Sequence, residues 1–125
     1  EIPATKVFED EACLAFMDIS PLAEGHDLLI PQVHAVCIED LSSADASAVL
    51  ANLPALARAV RSAVGAEGLN VLQNNGAIAG QAVMYVHFHL IPRRPGDAFT
   101  FNWPAGRYPS GRMDELCQAI SQAMS

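Results

Sequence analysis

The stretch VMYVHFHLIP at positions 83–92 constrains the fold more than any other in the chain. Side chains two apart in an extended segment share a face, so Met84, Val86, Phe88 and Leu90 make one row and Tyr85, His87, His89 and Ile91 the other. The first row is apolar and calls for a core to bury it. The second sets His87 and His89 on one surface, with α-carbons about 7 Å apart at roughly 3.3 Å rise per residue. A chain with such a strand must supply sheet neighbours and a layer that covers one side.

The covering layer is readable upstream. From Ser42 or Ser43, either a fitting N-cap, Val49, Leu50, Leu53, Ala57, Val60 and Val64 recur at three- and four-residue steps, the period of an amphipathic helix. Pro54 lies inside that pattern and should kink or split it, since an interior proline costs about 3 kcal/mol. Gly65 or Gly68 ends it. KVFED and CLAFMDI flank the acidic turn Glu9–Glu11 and read as a hairpin, DLLIP as a third strand, LNVLQN as a fourth. A last helix carries Asp114 and Glu115 in its first turn, with Leu116, Ile120 and Met124 turned inward. This order predicts an α+β fold in which an antiparallel sheet of about five strands carries the long helix and the C-terminal helix on one face. The 125 residues suit one domain, 1–125.

Charge narrows the partners. A formal charge of −7 with only seven Lys and Arg disfavours nucleic-acid polymers, while a local pocket of donors remains able to hold one phosphate. No apolar run reaches the roughly 20 residues that span a bilayer, and the opening EIPATKVFEDE lacks the layout of a secretory signal, so a soluble, cytoplasmic protein without membrane contact is expected. Cys13, Cys37 and Cys117 are odd in number and lie among apolar residues, as buried thiols in a reducing compartment would.

Three readings of His87 and His89 compete. An H-x-H pair can hold a metal, but zinc needs three or four protein ligands and only His26 and His34 remain to help. Two histidines can also be hydrogen-bonded fillers in a half-polar cleft. The third reading is nucleophilic or acid–base work on a phosphate, favoured by the preceding NNGAIAGQ, whose small residues and carboxamides let backbone N–H groups approach an oxyanion. A neutral imidazole is a competent nucleophile near neutral pH.

NGAIAGQAVMYVHFHLIPR resembles the signature of the histidine-triad (HIT) nucleotide hydrolases, a His-x-His-x-His run behind Gly-Gln and often before Pro-Arg. EIPATKVFEDEACLAFMDISPLAEGHDLLIPQVH resembles the N-terminal half of that family, so the likeness covers roughly Glu1 to Arg93, and NWPAG resembles a tail motif of some members. The resemblance implies that His87 is the nucleophile toward the α-phosphorus of a purine nucleoside 5′-phosphate derivative, either a phosphoramidate or a dinucleoside polyphosphate. By the same resemblance His89 and Gln81 act in catalysis as donors to phosphate oxygens, and Asn74 contacts phosphate. Asp18 accepts the ribose hydroxyls, and Ile2, Phe16, Ile19 and Leu28 wall the base, although pattern alone makes these four apolar residues core. His26 and His34 read as support, and Arg93 equally as a solvated charge or a phosphate contact.

The chain departs from the family pattern at two positions. Tyr85 replaces the first triad histidine, and no Cys-x-x-Cys is present, so the zinc set of some members is lacking and no metal or cofactor is expected. Ala82 stands where some members carry a hydroxyl that helps protonate an amine leaving group. The alternative to a hydrolase is therefore a nucleotide-binding module with weak or no turnover. The resemblance and the Ala- and Val-rich long helix also lead us to expect a homodimer.

Overall fold

In the computed structural model, which describes residues 5–125, the β-branched and leucine-rich runs form five strands: β1 (Lys6–Glu9), β2 (Cys13–Met17), β3 (Asp27–Pro31), β4 (Gly68–Gln73) and β5 (Phe88–Arg93). They make one antiparallel sheet in the order β1-β2-β3-β5-β4. Three helices complete the chain: α1 (Ser43–Leu50), α2 (Leu53–Val64) and α3 (Arg112–Ala123). The class is α+β, as the element order predicts.

One face of the sheet makes the core. Cys13, Ala15, Leu29, Phe88 and Leu90 pack against Val49 of α1 and Leu56 and Val60 of α2. Ser42 caps α1, its hydroxyl accepting from the Asp45 amide at 3.0 Å. Pro54 splits the helical run. It sits in the first turn of α2, where its missing N–H would be unpaired in any case. Gly65 ends α2 in the left-handed conformation at φ 64°.

The structure differs from expectation at three places. The strand holding the histidines starts at Phe88 rather than at Val83, because its partner β4 ends at Gln73, the residue opposite Phe88. Met84 is therefore exposed instead of lying in the core row with Val86, Phe88 and Leu90. At the other end β5 runs through Pro92 to Arg93. Glu67 donates to the Arg93 carbonyl on the β4 side, so by alternation Pro92 turns toward the β3 side, where pairing has already stopped at Leu90 and no donor is required.

The second difference is α3. Its period sets Leu116, Ile120 and Met124 on one side as expected, but Leu116 is only half-buried, and Ile120 and Met124 are 64% and 82% exposed. The third concerns the thiols: Cys13 is buried, Cys37 is half-buried and Cys117 is exposed.

Candidate active site

The sheet face opposite α1 and α2 carries the site. Phe16 pairs with Leu28, Leu28 with His89 and His89 with Leu72, a single row that crosses four strands. His87 lies one residue beyond the end of β5, and continuing the β4–β5 register sets Asn74 opposite it.

Backbone groups fix the tautomers of these imidazoles. The Tyr85 carbonyl lies 2.9 Å from His87 Nδ1 and can only accept, so Nδ1 carries the proton and Nε2 presents a lone pair. The opposite holds at His89. The Leu22 amide donates to His26 Nδ1 at 3.0 Å, which leaves the His26 proton on Nε2. That proton points to His89 Nδ1 at 2.9 Å, so the His89 proton is on Nε2. The Asp18 carboxylate is a second acceptor for His26 at 3.5 Å, and the shorter contact decides. The His87 and His89 rings stand edge to face with centroids 4.9 Å apart.

Electrostatics keep the supporting pair neutral. Burial pushes the His89 pKa down to about 4, with His87 and His26 adding in the same direction against an opposing pull from Asp18. Burial likewise lowers His26. Its placement depends on Gly25, which has φ +91°, and a Cβ there would meet Val64 Cγ1 at 2.9 Å.

The loop before the histidines is clamped by Gln81. Its carboxamide oxygen accepts from the Gly76 amide at 2.7 Å, its Nε2 donates to the Val36 carbonyl at 2.7 Å, and its backbone amide returns to the Gly76 carbonyl. Gln81 is thus buried beneath the loop and shapes its backbone. Asn74 reaches the Gly80 carbonyl at 3.4 Å. Asn75 and Gln73 exchange carboxamide bonds of 2.6 and 3.0 Å, and Asn75 accepts from the Ile38 amide.

Of the remaining expected residues, Asp18 stands beside His26 and accepts from the Ser20 amide at 2.8 Å. Phe16 is buried and Leu28 half-buried in the His89 row, whereas Ile19 is 74% exposed at the rim. Ile2 lies outside the described residues. His34 is exposed. Arg93 is engaged within the protein: it forks onto Asp97 at 2.8 and 2.9 Å, donates to Asn70 at 2.8 Å and to the Phe99 carbonyl, and so ties the following segment to the sheet. The relay from Leu22 through His26 to His89 spans the 63-residue separation of His26 and His89, and its one local sign in the sequence is the Gly25–His26 turn.

Zinc does not fit these side chains. Among the described residues Asp18, His26 and His89 bring their ligand atoms within 4.8 Å of one another. A metal on His26 Nε2 would need the proton on Nδ1, which already receives the Leu22 amide. His34 and Tyr85 do not make up the set.

The chain is 38% identical over 121 residues to adenylylsulfatase HINT3 of Arabidopsis thaliana, a match that takes in 97% of this chain and spans 61% of the length of that relative. It is 42% identical over 111 residues to adenosine 5′-monophosphoramidase hnt1 of Schizosaccharomyces pombe, covering 87% of this chain and 78% of the other. The crystal structure of a HIT family member from Bacillus subtilis matches with a TM-score of 0.90 at 38% identity, over 97% of this chain and 88% of that one. The HIT domain model matches residues 1–96, a range that holds all five strands and both histidines, and the chain belongs to the HIT domain family.

Proposed function

We propose that the chain hydrolyses a purine nucleoside 5′-phosphate derivative, a phosphoramidate or a dinucleoside polyphosphate, at the α-phosphorus through a nucleotidyl-His87 intermediate. The observation that carries this reading is the pair of complementary tautomers: a lone pair at His87 Nε2 beside an N–H at His89 Nε2. His87 Nε2 attacks phosphorus, the P–Nε2 bond forms, and the leaving group departs with the electrons of its own bond to phosphorus and takes up a proton from solvent. Meanwhile His89 Nε2–H donates to a non-bridging oxygen as charge builds there. Water then attacks the adduct, its oxygen bonds to phosphorus as the P–Nε2 bond breaks, its proton passes to solvent, and His87 leaves with its lone pair restored. The loop that Gln81 clamps, with Asn74, serves as the phosphate cradle. Asp18 takes the ribose hydroxyls, and Phe16, Leu28, Ile19 and Ile2 wall the base.

The names of the two relatives, an adenylylsulfatase and an adenosine 5′-monophosphoramidase, support an adenylyl substrate. In this reading the protein works as a homodimer in the cytoplasm. The exposed Ile120 and Met124 of α3 and the half-exposed Val71 on edge strand β4 support pairing, and the three unpaired thiols support a reducing compartment.

Rapid mixing with an adenosine phosphoramidate, a quench that preserves phosphohistidine and peptide mass analysis test the mechanism. The adduct is expected on His87, and His87→Ala keeps nucleotide affinity while losing the chemical step. An adduct on His89, or full activity of the His87 variant, would show the assignment to be wrong. Binding without any adduct or product would leave a nucleotide-binding module.

A further inference from the structure

We propose that the ring of Tyr85 is a positioning residue for His87, holding the imidazole in its attacking orientation; this rests on the reading of His87 as the nucleophile. His87 lies outside the sheet ladder, which ends at the Gln73–Phe88 pair, and the chain just before it is tied by the Val86 amide bond to the Ala35 carbonyl at 2.8 Å. Sheet pairing therefore does not set the His87 side-chain torsions. Three contacts do. The Tyr85 carbonyl holds Nδ1, the His89 ring stands on one side at 4.9 Å and 69°, and the Tyr85 ring stands at 5.7 Å and 63°. Both ring pairs have the edge-to-face geometry that aromatic groups prefer.

The carbonyl belongs to the backbone and survives any substitution at position 85. The ring contact does not, so the two contributions separate cleanly. No described hydrogen bond engages the Tyr85 hydroxyl, so the aromatic ring, rather than the phenol, is the acting group. A nucleophile whose ring wobbles spends less time in line with phosphorus, and the effect appears in the rate of attack instead of in affinity.

The test is single-turnover formation of the His87 adduct from an adenosine phosphoramidate, alongside adenosine monophosphate affinity, in the parent and in Tyr85→Ala, Tyr85→Leu and Tyr85→Phe. Removing the ring should slow adduct formation roughly two- to tenfold with affinity unchanged, by the usual strength of such pairs. Tyr85→Phe should recover the loss. Leu fills space without a ring, so it reports on the contact even where Ala fails to fold. A folded Leu or Ala variant at the parent rate overturns the proposal, as does failure of Phe to recover the rate, or a loss of affinity that matches the loss of rate. Absence of the adduct in the parent overturns the nucleophile assignment and this proposal together, whereas a normal parent with indifferent variants overturns this proposal alone.

Discussion

His26 Nε2 lies 2.9 Å from His89 Nδ1, and the proton between them belongs to His26 because the Leu22 amide occupies its other nitrogen. Two imidazoles far apart in sequence thereby become one directed donor. His26→Leu removes the director and leaves His89 free to exchange tautomers. Turnover should then fall by roughly ten- to a hundredfold, less than the roughly 10²–10³ expected for losing the donor itself in His89→Ala. Nitrogen-15 spectra of the imidazoles should show His89 passing from a single Nε2–H tautomer to a mixture. Parent-level turnover with an unaltered spectrum would remove His26 from the mechanism.

The same relay fixes a pH response. His89 is depressed to about 4, chiefly by burial, so it remains a neutral donor from alkaline pH down to that value. The sign for stability follows. The unfolded imidazole takes a proton below about 6.5 and the folded one resists until about 4, so this group weakens the fold as pH drops through that window. The His89 ring signals should titrate with a midpoint near 4. A midpoint at the ordinary value near 6.5 would mean that the ring is solvated.

Asp18 bears on sugar recognition. Its carboxylate already accepts from the Ser20 amide, which holds it in place with lone pairs left over for two hydroxyls. Asp18→Ala should weaken ribonucleotide binding by about 1.5–3 kcal/mol and 2′-deoxyribonucleotide binding, which keeps only the 3′-hydroxyl contact, by clearly less. Calorimetric titration with both sugars decides, and an equal loss for the two would reject the ribose contact.

Much of this architecture was legible because it rests on local periods. The alternation in β2 and β3, the helical steps from Val49 to Val64 and the glycine stop at Gly65 need no tertiary information. What escaped depends on partners. Alternation carried to Met84 fails because it cannot tell that β4 stops at Gln73. The α3 period says which residues share a side but not whether anything covers them. Arg93 was undecidable until Asp97 and Asn70 met it, and Gln81 became a loop clamp only once Val36 and Gly76 were beside it. The direction of the His89 proton depends on a backbone amide at Leu22, which no side-chain pattern encodes.

Self-association is the next expectation. Trp103, Ile120 and Met124 are strongly exposed, and strand β4 offers an open edge. Light scattering should report a species of twice the 13.3 kDa chain mass at micromolar concentration. A mass of one chain would sink the homodimer.

The last prediction concerns Asp27, next to His26 but turned to the opposite face, toward α2. Only 1% of it is exposed, and neither carboxylate oxygen has a partner among the described residues. It faces a mainly apolar cavity of about 250 Å³ lined by Val7, Met17, Leu56, Ala59, Val60 and neighbouring residues. Burial raises its pKa to about 6 from 3.8. The folded state therefore holds a proton that the unfolded chain has released, so the carboxyl lowers stability progressively as pH rises from about 4 to about 6. At neutral pH the penalty is on the order of 3 kcal/mol, at 1.36 kcal/mol per pKa unit. Asp27→Val, close in volume and suited to a strand, should be more stable than the parent by about 1–3 kcal/mol at pH 7, and the gain should shrink toward pH 4. Urea denaturation at both pH values measures the difference. A variant less stable at pH 7, or a gain independent of pH, would show that the carboxylate is compensated by a partner.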